Sequence, residues 1–156
     1  MKKIHHFLLS AVALLLVMTS LTTLAFAAEA EGAQSQKFED GSYILVTIEY
    51  DQPQEGISYF ASRSTTGGTK KYIHCDSNDK VLWEFWVHGT FSYNGVTATA
   101  TGAEYGYKIY DSSWSYAKAN ATYSGATATA TGTFNWLLFP NTVTVDLTCS
   151  PKGVLS

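Results

Sequence analysis

The stretch Tyr93-Asn94-Gly95-Val96-Thr97-Ala98-Thr99-Ala100-Thr101-Gly102 decides the fold, and the chain states it twice. The second copy is Tyr123-Ser124-Gly125-Ala126-Thr127-Ala128-Thr129-Ala130-Thr131-Gly132. Each is a turn followed by alternation of small apolar residues with threonine, the period of a strand whose side chains point to opposite faces. Asn94-Gly95 suits a two-residue type I′ turn, because both residues tolerate positive φ. That turn would set Ser92 opposite Thr97, Thr90 opposite Thr99 and His88 opposite Thr101, all on a polar face. Phe91, Gly89 and Val87 would meet Ala98, Ala100 and Gly102 on an apolar face. One wet face and one dry face is the pattern of an antiparallel hairpin.

In the second copy, a turn at Ser124-Gly125 sets Thr122, Asn120 and Lys118 opposite Thr127, Thr129 and Thr131. Ala121, Ala119 and Ala117 then meet Ala128, Ala130 and Gly132. Alanine buries little area, so this face needs large side chains from an opposing layer. Trp83, Phe85 and Phe91 have the required size. Two copies are too few for a solenoid, and the expectation is two similar hairpins in one domain.

Working outward, residues 43–50 alternate as a strand with Ile44, Val46 and Ile48 inward. Residues 57–64 form a plausible second strand, ended by Thr65-Thr66-Gly67-Gly68. Residues 70–75 make a third, and Asp76-Ser77-Asn78-Asp79 a turn. Residues 81–93 make a long strand with Trp83, Phe85 and Val87 on one side, and Gly89 marks a bend or bulge. Residues 104–110 alternate weakly before Asp111-Ser112-Ser113 turns the chain. The second hairpin leads to Pro140-Asn141, and residues 142–149 close the domain. No segment has helical periodicity. The fold class is all-β, a two-layer antiparallel sandwich over residues 41–152, with a small barrel as the alternative.

Residues 1–27 read as a secretory signal. Lys2 and Lys3 precede an apolar run over residues 7–17, and Ala25-Phe26-Ala27 is a small-x-small cleavage site. The alternative is a retained membrane anchor, disfavoured because Ser10, Thr19, Ser20, Thr22 and Thr23 interrupt the run. Residues 28–40 are polar and aperiodic, a flexible leader. Cleavage removes two of the ten basic residues and none of the thirteen acidic ones, leaving a net charge of about −5. An acidic chain disfavours nucleic acid and anionic membranes as partners. The expected product is secreted and extracellular, with no stable membrane insertion after cleavage.

Cys75 and Cys149 are the two cysteines, and in a secreted chain a pair favours a disulfide over two free thiols. A catalytic thiol is disfavoured, because His74 is adjacent to Cys75 and on a strand points the other way. No metal-ligand spacing occurs, and Asp76 to Asp79 reads as a turn before it reads as a calcium loop. No carboxylate pair is brought to glycosidase distance and no Gly-x-Ser-x-Gly elbow is present, so neither catalytic residue nor cofactor is assigned.

One binding candidate remains. Trp86 falls on the polar face of its strand between Glu84 and His88, a combination that could stack a sugar or contact a protein, although packing under a loop or a second layer explains it as well. Trp114 and Tyr116 come out on the polar side in the second register, unless a bulge reverses them. The phrases Trp83-Glu84-Phe85, residues 89–95, residues 124–128 and residues 147–153 resemble a group of small secreted proteins of Gram-positive bacteria with no established activity. The resemblance implies secretion and a β-rich fold and carries over no site residues. The functional expectation is a non-enzymatic extracellular binding module for a glycan or protein. A bacteriocin-like or inhibitory effector, or a small hydrolase, are the alternatives.

Overall fold

Eight strands form two antiparallel sheets, consecutive strands pairing within each, in a computed structural model that describes residues 34–51 and 63–156. The expected signal segment 1–27 and residues 57–62 of the expected second strand lie outside the described residues. The five-stranded sheet runs β1 (Gln34–Lys37), β2 (Tyr43–Tyr50), β3 (Ser64–Cys75), β4 (Val81–Tyr93) and β5 (Ala98–Ile109). The three-stranded sheet runs β6 (Trp114–Ser124), β7 (Thr127–Trp136) and β8 (Phe139–Thr148). The two sheets stack as an open sandwich and do not close into a barrel.

The interior is built as the alternation requires. Trp83, Phe85, Val87 and Phe91 point inward from β4 and are fully or nearly fully buried. Ala128, Ala130, Phe134, Val145 and Leu147 meet them from β7 and β8. Small residues on β7 leave room for rings on β4: a β-carbon on Gly132 would lie 2.9 Å from the Phe85 ring. Outside, threonines pair across β7 and β8, with Thr131–Thr144 and Thr133–Thr142 hydroxyls 3.1 and 3.0 Å apart.

Both turns differ from those expected, the first in length and the second in position. Tyr93 pairs with Ala98, so Asn94 to Thr97 form the loop, where Asn94 Oδ1 accepts from the backbone N–H of Val96 and Thr97. In the second hairpin Ser124 pairs with Thr127, moving the turn to Gly125-Ala126. Each shift is by two in register, which preserves which face a side chain occupies. Bulges then change the face. One beside Thr101 sets His88 opposite Glu104 instead of Thr101. Another, at Ala117, turns Trp114 and Tyr116 inward, where Trp114 meets Trp83.

Three further expectations are corrected. Residues 34–37, expected in the flexible leader, add β1 to the edge of β2. Thr65-Thr66-Gly67-Gly68 does not end a strand but lies inside β3. The domain also runs past residue 152, since Leu155 is buried and bridges to Cys149.

Cys75 and Cys149 are buried and unbonded. Cys75 pairs beside Val81 at one end of β4. Cys149 donates its N–H to Ala126 O at the other end, where Gly95 donates to Pro151 O. At ~3.3 Å per residue the strand between them spans roughly 30 Å. A disulfide requires a Cα separation of about 4.4–6.8 Å.

Candidate functional site

The three expected binding residues share the outer face of β4. Trp86 pairs with Gly106, whose missing side chain makes the space the indole ring fills; a β-carbon there would collide with it. Lys71 Nζ, on the neighbouring β3, sits 5.6 Å from the ring centroid, a cation–π contact. The same ammonium is 3.8 Å from Glu84 Oε2, and Glu84 Oε1 accepts from Tyr110 Oη at 3.0 Å. His88 Nε2 lies 3.1 Å from Asp51 Oδ2. Glu84, Trp86 and His88 are therefore brought together, but each is engaged by a neighbour. The Trp86 ring lies between Gly106 and Lys71 and is half-buried.

A different feature stands out on the other side of the sheet. Among the described residues β1 and β2 have no strand of the second sheet beneath them. Their overhang past β8 leaves a cleft of about 870 Å³. Phe38, Tyr72, His74, Trp83 and Trp114 line it, with Trp136 and Phe139 on the β8 side. His74 is at the centre of the ring cluster, 5.0 Å from Trp83, 5.5 Å from Trp114 and 6.0 Å from Phe38 between centroids. Gln36, Asp40, Ser42, Asp76 and Asn141 add hydrogen-bonding groups to the lining.

Two polar atoms in this wall have no partner: His74 Nδ1 and Trp83 Nε1. His74 is 8 % exposed and Trp83 1 %. Leaving such groups unpaired costs about 1–3 kcal/mol each. Burial pushes the His74 imidazole below its ordinary pKa, opposed in part by the Asp40 carboxylate, so the ring is neutral at pH 7. Asp40 is itself held ionised by the hydroxyl and N–H of Ser42, at 2.6 and 3.0 Å, which lower its pKa.

The shallow depression between β5 and β6, lined by Glu104, Tyr105 and Asn120, contains no such unpartnered atoms. Asp76 Oδ1 is occupied by the N–H groups of Asn78 and Lys80, and Asp79 Oδ1 by Tyr43 Oη. Among the described residues no group of three His, Cys, Asp or Glu side chains is placed to hold a metal ion. The same residues include no helix long and apolar enough to cross a membrane.

Sequence reasoning missed the cleft because its walls come from seven strands, all but β5. The one local signal was the facing pair of aromatic sets, Trp114 and Tyr116 against Phe134 and Trp136, which becomes legible only with the bulge at Ala117. Comparison with protein-family models, with curated proteins and with solved structures found no match for the chain.

Proposed function

We propose that the chain is an exported, non-enzymatic binding module and that it takes a carbohydrate in the aromatic cleft. The observation that carries this reading is the cleft itself, where the rings of Phe38, Tyr72, His74 and Trp114 converge beside the polar groups of Gln36, Asp40 and Asn141. A pyranose offers an apolar face to stack on Trp114 or Tyr72 and hydroxyls that both donate and accept. Asp40, Asn141 and Gln36 suit those hydroxyls. The volume falls in the range of small-molecule sites, about 300–1,000 Å³. The alternative platform at Trp86 is less favoured, because Lys71 lies over its ring.

A glycan array followed by tryptophan-fluorescence titration tests the reading. Trp114→Ala should weaken binding about tenfold, the scale of one lost ring contact, while Trp86→Ala should leave it unchanged. A wild-type protein that binds no glycan, or binding lost through Trp86→Ala alone, would remove the cleft from consideration. Melting curves of both variants keep a folding defect from being read as a binding defect.

A further inference from the structure

The β7–β8 hairpin ends in Trp136-Leu137-Leu138-Phe139. Trp136 pairs with Phe139, so Leu137 and Leu138 alone form the turn. All four side chains face water, at 48, 63, 91 and 67 % exposure. Leu137 adopts φ 55°, in the left-handed region that favours glycine. Neither burial nor turn chemistry explains two leucines here. The tip is nevertheless held in place, since Leu137 N–H donates to Ser113 O at 2.9 Å.

We propose that this tip docks reversibly into the interfacial layer of an electrically neutral lipid bilayer. The surface is the exposed end of a hairpin, a shape that a fluid bilayer can close around. From Ala119 through Val145 the chain carries no Asp, Glu, Lys or Arg, so the tip can leave water without desolvating a charge. Trp136 and Phe139 flank the leucines, and aromatic side chains, tryptophan above all, partition to the membrane–water boundary. Asp40 and Asp76 line the same cleft as Trp136 and Phe139, and they disfavour anionic headgroups on this side of the molecule. The inference goes beyond the cleft: Trp136 and Phe139 border it, but Leu137 and Leu138 lie outside its lining, so docking through them does not depend on what fills it.

The chain freed of residues 1–27, which retains every strand described above, is mixed with phosphatidylcholine vesicles and sedimented. The wild type should pellet with them, and less with vesicles rich in phosphatidylglycerol. Leu137→Gly with Leu138→Asn keeps a two-residue turn and removes the apolar tip. It should cut partitioning about tenfold, since interfacial affinity scales with buried apolar area, while circular dichroism stays unchanged. Wild type that stays in the supernatant with neutral vesicles overturns the proposal, as does a double variant that pellets equally well. Pelleting with anionic vesicles alone, or capture by a protein in place of lipid, overturns it too.

Discussion

The two ends of β7 are closed by turns of the same length and nearly the same geometry but opposite chemistry. Gly125-Ala126 has φ 56° at its first position, and Leu137-Leu138 has φ 55°. At the first end the sequence supplies the residue the conformation asks for. Its carbonyls also serve the fold, Gly125 O accepting from Ala100 N–H at 2.7 Å and Ala126 O from Cys149 N–H at 2.9 Å. At the second end a leucine sits in a conformation that costs L-residues about 1–2 kcal/mol. Its neighbour Leu138 is 91 % exposed, so packing returns almost nothing. A local rule broken without a structural gain marks a place shaped by something other than folding.

Four substitutions break or sharpen that contrast. The largest effect belongs to the part of β7 that both ends share. Phe134→Ala empties a fully buried site between Trp83 and Phe85 and should cost about 3–5 kcal/mol in urea unfolding. A loss below about 1 kcal/mol would show that the sandwich does not rest on this ring. Next, Gly125→Leu copies the strained end onto the relaxed one and should cost about 1–2 kcal/mol. The reverse exchange, Leu137→Gly, should raise stability by about 0.5–1 kcal/mol, strain relief minus glycine's entropy in the unfolded chain. If Leu137→Gly destabilises, the tip serves the fold and the contrast fails.

The smallest effect asks whether the cleft end is also the pH-sensitive one. Folding depresses the His74 pKa below 6.5, so between the folded and unfolded values the unfolded chain binds the extra proton. Stability from neutral His74 is complete above about pH 6.5 and is lost as pH falls below it. The wild type should lose unfolding free energy between pH 7.5 and 5.5, and His74→Phe should flatten that slope. An unchanged slope in the variant would assign the pH dependence elsewhere.

Much of the fold was legible because alternation encodes faces directly. Displacing both hairpins by two residues left Phe91, Ala128 and Ala130 inward. Bulges were not legible, since an extra residue at Thr101 or Ala117 leaves no mark in composition yet flips everything beyond it. Glu84, Trp86 and His88 could be grouped because they sit two apart on one strand. The cleft could not, because it depends on β1 and β2 extending past β8. Trp136 to Phe139 resembles the core strands in composition, and nothing local distinguishes an apolar tip from an apolar interior. The cysteine pairing failed because it assumed proximity, and strand length keeps the two apart.

One measurement compares the two turns directly. The same environment-sensitive fluorophore is attached at Leu138→Cys and, separately, at Ala126→Cys, with Cys75 and Cys149 shielded at 2 % exposure each. Phosphatidylcholine vesicles are then added to each labelled protein. A blue shift at position 138 with none at position 126 is the expected result. Equal shifts at both positions, or no shift at 138, would contradict the reading of β7's two ends as one made for folding and one for docking.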